Sequence, residues 1–332
     1  METTYNVNAT GFEQQAHALI CLKAFDRICA KARGRFRIVP LKGIDLMRFL
    51  YSDTLDRELN DIDLLVVNAD REMDFIELMQ SEGYRPEFSF ALDEAALKKK
   101  RKVSMISSSQ LMPNVDVHFV LITKKFFSFT INDFNRDAIL RTKVVDDVIS
   151  ELDNVDRWLY LAAHLTFHFL EGEKWYRDLA LLIECFNEEE MLTFVKRTQQ
   201  YNFERVVVAV CARMQSKYPD IASWINTSQL LPDRQGECFV RYIEFMAAHP
   251  RRLGRGLRLA RYYWEFIFIS RKSLRRKSFL CLMFSSLGNM QNIYRCHVPV
   301  AVLLYVPHVL INALGILLFS LQYHFVSTYY RK

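Results

Sequence analysis

The sequence predicts an α+β fold, and three observations carry that expectation. Glycine and proline are scarce, at 10 and 8 in 332 residues, which argues against a sandwich of many tightly turned strands. Short strand-like runs occur within the first 125 positions, and beyond Asp137 the apolar residues recur almost throughout at helical spacing. The length allows two domains of ordinary size. With 51% hydrophobic and 25% charged residues, each can bury a core without metals or disulfides. The same figures exclude a disordered tail and a disulfide-rich miniprotein.

The elements follow in order. From Gly11 to Ala32 the residues Phe12, Ala16, Leu19, Ile20, Phe25 and Ile28 repeat at helical spacing, and Gly34 can end that helix. Phe36 to Leu41 reads as a short strand, Lys42-Gly43 as a turn, Ile44 to Tyr51 as a helix, and Asp61 to Val67 as a buried strand. Asp70 can cap a helix that runs through Ser81 and stops at Gly83. Val103 to Ser108 and Val115 to Val120 alternate as strands do. Residues 1–125 therefore read as one α+β domain around a small sheet. Residues 126–250 read as a helical domain, with helices expected at Val155–Leu170, Trp175–Phe186, Glu188–Gln199, Phe203–Gln215 and Glu237–Ala248.

Residues 251–332 form a third part, basic and apolar. The net charge of +6 conceals a split, because Arg251 onward carries thirteen Lys/Arg against the single acid Glu265, leaving the rest of the chain acidic. Ten basic residues between Arg251 and Lys277 interleave with Leu, Tyr, Trp, Phe and Ile, which suits an anionic lipid surface. Val298 to Gln322 holds no charged residue, and its length suffices to cross roughly 30 Å of hydrocarbon as a helix. Pro299, Pro307, His308 and Asn312 leave an in-plane helix or a buried helical hairpin as alternatives. The basic cluster preceding this run outweighs Arg331 and Lys332 after it, so a cytoplasmic body associated with the inner face of the cytoplasmic membrane is expected. Seven cysteines with no CxxC pair argue for reduced thiols, and the N-terminus has neither the basic nor the apolar region of a signal peptide.

The acids suggest chemistry. Asp61 and Asp63, two apart on a predicted strand, share a face, and Asp116 sits on another predicted strand. Three carboxylates on adjacent strands make a cradle for Mg²⁺, which prefers hard oxygen ligands and serves phosphoryl transfer. The same spacing also suits an Asp61 that merely ends a strand, with Asp63 and Asp116 as solvated edge residues.

Leu41-Lys-Gly43, the Asp61-Ile-Asp63-Leu-Leu-Val strand, Gly83-Tyr84 and Val115-Asp-Val-His118 occur in an order and at distances that resemble the nucleotidyltransferase fold shared with DNA polymerase β. Among its families the chain is most similar to the uncharacterised nucleotidyltransferases. The likeness extends through Asp156-Arg-Trp-Leu-Tyr-Leu-Ala-Ala-His164-Leu-Thr-Phe-His168 and Trp175-Tyr-Arg-Asp178, covering about residues 11–200. It implies a small mixed sheet followed by helices. It also implies that Gly43 and Lys42 serve the phosphates of an NTP, that Asp61 and Asp63 bind Mg²⁺ (with Mn²⁺ as a substitute), and that Asp116 serves the metal or acts as base. Many members of the superfamily carry Ser after the glycine, where Ile44 stands here. Lys42 and Arg57 offer cationic replacements, as point charge and fork respectively.

His118, two residues beyond Asp116, shares its face and is a candidate to support the metal ligands. His164 and His168, at i and i+4, and Asp178 are candidates to line the cleft. They lack the Glu of HExxH and a close third ligand for zinc. The Lys98–Lys102 basic run reads as a solvated turn or helix end, and no specific nucleic-acid partner is expected. The function the resemblance implies is an Mg²⁺-dependent nucleotidyltransferase, moving NMP from an NTP to an unidentified hydroxyl or phosphate acceptor, with envelope polysaccharide or small-molecule biosynthesis as the expected setting. The alternative is a catalytically lapsed, membrane-associated scaffold or nucleotide sensor of the same fold. Phosphohydrolysis on the His164/His168/Asp178 set is weaker, because no adjacent His-Asp dyad is present.

Overall fold

A computed structural model describes residues 4–51, 57–67, 71–87, 97, 101–109, 111–122, 130–167, 172–215, 218, 310 and 314. The expected helix Glu237–Ala248, the candidate His168, the cap Asp70, Lys98–Lys100 and the tail 251–332, except Leu310 and Leu314, lie outside these residues. Among the described residues no helix is long and apolar enough to cross a membrane. The chain divides into two compact units, Met1–Lys124 with Ile131–Tyr201, and Lys125–Thr130 with Asn202–Lys332.

The first unit is built on a mixed sheet. Its strands are β1 (Ile38–Leu41), β2 (Ile62–Val66), β3 (Tyr84–Pro86), β4 (Lys102–Ser107) and β5 (Val115–His118), in the order β1-β2-β5-β4-β3. Only the β2–β5 pair is parallel. The helices that precede and interrupt the sheet are α1 (Thr4–Ala32), α2 (Lys42–Phe49) and α3 (Glu72–Ser81). The expected turn at Lys42-Gly43 is instead the first turn of α2, entered directly from β1.

Pleating decides what each face does. Ile62, Leu64 and Val66 of β2, Val115 and Val117 of β5, and Val103 and Met105 of β4 point into one core. Phe25, Ile28 and Cys29 of α1, Ile44 and Met47 of α2, and Phe75, Ile76 and Met79 of α3 belong to the same core. The alternate residues Asp63, Asp116, His118, Lys102 and Ser104 are thereby turned to the opposite face. Gly34 and Gly83, at φ 71 and φ 88, turn the chain after α1 and α3, a backbone region that other residues enter at a cost. Glu82 at the end of α3 accepts hydrogen bonds from Arg27 and Lys31 of α1. Among the described cysteines Cys21, Cys29, Cys185 and Cys211 are free thiols, and burial pushes Cys21 and Cys29 up to about 12.

After the sheet come α4 (Thr130–Leu140), a two-stranded ribbon of β6 (Lys143–Val144) and β7 (Ser150–Glu151), and then α5 (Asn154–Phe167), α6 (Glu173–Glu184) and α7 (Glu188–Gln200). The second unit contains α8 (Glu204–Gln215). Trp158 of α5 donates its indole N–H to the Leu179 carbonyl of α6 at 3.1 Å and meets Phe194 of α7 edge-on at 4.9 Å. The Asn187 side chain and Glu190 form a capping box that starts α7.

Buried ion pairs tie these helices to the sheet domain. Arg157 of α5 holds Asp45 of α2 through two guanidinium nitrogens at 2.6 and 3.1 Å, with both side chains about 2–3% exposed. The same guanidinium lies over the Phe49 ring at 4.2 Å. Removing one partner of a buried pair strands the other charge in a low-dielectric interior. Arg157→Ala is therefore expected to lower unfolding stability by about 3–5 kcal/mol in urea titrations. The double replacement Asp45→Leu/Arg157→Met should lose much less. A single variant as stable as the wild type would refute this role.

Candidate functional site

The site grows out of strand register. β2 and β5 pair in parallel with Asp63 directly opposite Asp116, and β4 pairs with β5 so that Ser104 faces Asp116 and Lys102 faces His118. Directly opposed residues on neighbouring strands project to the same side, so two carboxylates, an imidazole, a hydroxyl and an ammonium gather on one patch of sheet.

Asp63 is the centre of that patch. Its Oδ1 accepts from Lys42 Nζ at 2.5 Å and from His118 Nε2 at 3.0 Å. Burial works to raise its pKa, but Lys42, His118 and Lys102 overcome this and hold the carboxyl far below the usual range. For His118 burial dominates and keeps the imidazole below the ordinary histidine value, only partly offset by Asp63. An ionised carboxylate accepts and does not donate, so the hydrogen-bond pattern assigns the proton of a neutral His118 to Nε2. His118 Nδ1 is then a buried acceptor without a hydrogen-bond partner. Asp116 is half-buried, accepting from Lys102 Nζ at 2.5 Å and from Ser104 Oγ at 2.6 Å.

Asp63, Asp116 and His118 each offer a ligand atom, and these atoms lie within 4.8 Å of one another. Two hard carboxylates held side by side form a donor set that fits a divalent cation, and His118, which donates Nε2–H to Asp63, orients one of them. Asp61, one position before β2, is exposed and stands outside this trio. It borders, with Asn60, Glu87, Ser104, Asn114 and Asp116, a cavity of about 270 Å³. Its desolvation, and then the neighbouring Asp63 charge, raise its carboxyl above the usual range. The candidates expected as one triad are thus arranged as a pair, Asp63 and Asp116, joined by His118, with Asp61 at the cavity beside them.

The nucleotide-binding candidates separate. Lys42 reaches the acids from a strained backbone, φ 50. Gly43 follows it in α2, and a Cβ there would lie 2.5 Å from Leu59 Cδ2 and 2.8 Å from Arg57 Nη1, so a larger residue would require those side-chain ends to shift. Ile44, at the position where many superfamily members carry serine, is fully buried in the core. Arg57 turns its fork to Asp178, with contacts of 2.7–3.1 Å, and both are buried. Tyr51 also donates to Asp178 Oδ1 at 2.8 Å. Arg57 and Asp178 therefore anchor α6 to the segment before β2. His164 is half-buried and packs edge-on against Trp175 at 5.4 Å.

Two residues were not singled out from sequence. Lys102 belongs to a basic run that by sequence reads as solvated surface. Tyr160 of α5 is buried with an unpartnered hydroxyl, and burial, followed by the charges of Asp63, Asp116, Asp45 and Asp61, pushes its phenol far up. The available signal is spacing: Arg157, Tyr160 and His164 form a polar stripe at intervals of three and four along a helix whose other positions after Asp156 are apolar apart from Thr166.

A family model described as "Uncharacterised nucleotidyltransferase" matches residues 9–218, a span that includes Lys42, Asp63, Lys102, Asp116, His118 and Tyr160. No curated protein matches the chain. With more than half of its length matched, and with the paired acids on adjacent strands inside the matched span, the chain belongs to the uncharacterised nucleotidyltransferase family.

Proposed function

We propose that the protein transfers a nucleoside monophosphate from an NTP to a hydroxyl or phosphate acceptor, with a divalent cation, Mg²⁺ or Mn²⁺, held by Asp63 and Asp116. The observation that carries this reading is the opposition of Asp63 and Asp116 on parallel neighbouring strands, with His118 on the same face. A cation there would supply Lewis-acid polarisation of a phosphate oxygen. The chain's own groups do the rest. His118 Nε2–H fixes the Asp63 carboxylate, Lys42 offers positive charge from the start of α2, and the cavity beside Asp61 and Asp116 gives the acceptor a place. In the transfer the acceptor oxygen forms a bond to the α-phosphorus, the bond to pyrophosphate breaks, and the acceptor's proton passes to a carboxylate bordering the cavity.

The lapsed scaffold or sensor remains the second reading, favoured by the buried Ile44 at the serine position and by lysines already paired with both acids. The interleaved basic and apolar residues of 251–322 support attachment to an anionic membrane surface.

Transfer of label from α-phosphate-labelled ATP, GTP, CTP and UTP into cell-lysate acceptors tests the enzymatic reading. Label should require Mg²⁺ or Mn²⁺, vanish on chelation, and fall at least about 10²-fold in Asp63→Asn and Asp116→Asn. Folded wild type that yields no label dependent on Asp63 would shift the assignment to the scaffold. His118 supports Asp63, so His118→Ala should weaken Mn²⁺ binding by about 10–100-fold. His118 also links stability to pH. Its folded pKa is depressed, so its contribution is full above about 6.5 and is lost as pH falls below that value. Wild type should lose more thermal stability than His118→Asn between pH 7 and pH 5, and parallel curves would refute the linkage. Full-length protein should co-sediment with phosphatidylserine vesicles and be released by high salt, whereas equal binding to neutral vesicles would contradict an electrostatic attachment.

A further inference from the structure

We propose that Lys42 and Lys102 are built-in counter-cations of the acidic centre, each holding a carboxylate that a divalent cation must take from it, and that Lys102 thereby sets the site's affinity for metal. The proposal rests on the reading of Asp63 and Asp116 as cation ligands. Each lysine makes a 2.5 Å contact with one of the two acids, Lys42 with Asp63 and Lys102 with Asp116. The partition is one to one. Against the two carboxylates of Asp63 and Asp116 the two ammonium groups leave no net negative charge for an entering cation to neutralise. A doubly charged ion entering with both ammonium groups in place would make the patch net positive, within a few ångströms of two cations, where repulsion is costly. Entry therefore requires that at least one lysine withdraw.

The two lysines differ in freedom. Lys42 is 9% exposed beside an Asp63 that is 4% exposed, whereas Lys102 is 33% exposed and can swing toward solvent. Backbone strain marks both places. Among the described residues only Lys42, Arg101 and Asn202 are non-glycine residues with left-handed φ, so two of the three lie at Lys42 and immediately before Lys102. Arg101 is clamped by Glu72 and by the Phe119 carbonyl, which sets the entry angle of β4 and carries Lys102 onto the acidic face opposite His118. A solvated lysine needs none of this apparatus.

The test is Mn²⁺ binding alone, by titrating full-length protein and following the free-ion EPR signal. Lys102→Met is expected to tighten Mn²⁺ binding by about tenfold, with Lys102→Arg close to wild type because the charge returns. Asp63→Asn and Asp116→Asn should weaken it. If Lys102→Met does not fold, Lys102→Gln, which keeps a polar head without charge, replaces it. Binding by Lys102→Met with none by wild type would support the proposal in its strongest form. Mn²⁺ that binds wild type and Lys102→Met equally, or binds the variant more weakly, would overturn it while leaving the cation site intact. Absence of Mn²⁺ from every variant would overturn both this proposal and the cation-site reading beneath it.

Discussion

Two carboxylates placed side by side in a sheet repel each other and lose hydration, so their arrangement survives only with positive charge or donors supplied close by. That constraint organises the first unit. Asp63 and Asp116 are opposite each other because β2 and β5 are parallel in this register, and Lys42, Lys102, His118 and Ser104 stand where they can neutralise or hydrogen-bond them. The apolar residues between them, Ile62, Leu64, Val115 and Val117, hold the register from the other face, since a slip by one position would carry the charges into the core. Core and site are therefore two faces of one pleat.

The surrounding helices are set by charge as much as by apolar packing. Arg157 with Asp45, Arg57 with Asp178, and Arg141 and Arg197 with Asp156 are partly or fully buried pairs that link elements far apart in sequence. Each is directional, and bidentate guanidinium contacts fix orientation better than an apolar contact of the same area. This matters near the acids, because α5 brings Tyr160 into their field through the same helix that Arg157 fastens to α2. Tyr160 is thus a buried phenol without a hydrogen-bond partner in the electrostatic field of the acids.

Much of this was legible in the residues. The apolar run within Asp61–Val67 and the alternation in Val115–Val120 located β2 and β5, and helical spacing located α3 and α5 to α8 within a few positions and α1 apart from its first seven residues. The short strands β3, β6 and β7 escaped because they have two or three residues and owe their conformation to a neighbour's hydrogen bonds, and the eleven-residue α4 was not expected either. Ile44 and Gly43 show the same limit at the site. One is core and the other is hemmed in by Leu59 and Arg57, which no local pattern announces.

By itself the sequence determined which residues could carry charge on a strand, because the two-residue period places Asp61 with Asp63 and Asp116 with His118 whatever surrounds them. It also carried the family likeness, which rests on short motifs in a given order. Only the tertiary structure decided partnership. Strand order put Asp63 against Asp116, left Asp61 at the cavity and drew Lys102 out of a basic run onto Asp116, while helix packing bound Arg57 to Asp178. The physical reason is that pairing between strands and helices distant in sequence is set by burial and charge balance summed over the whole domain, which no single segment contains.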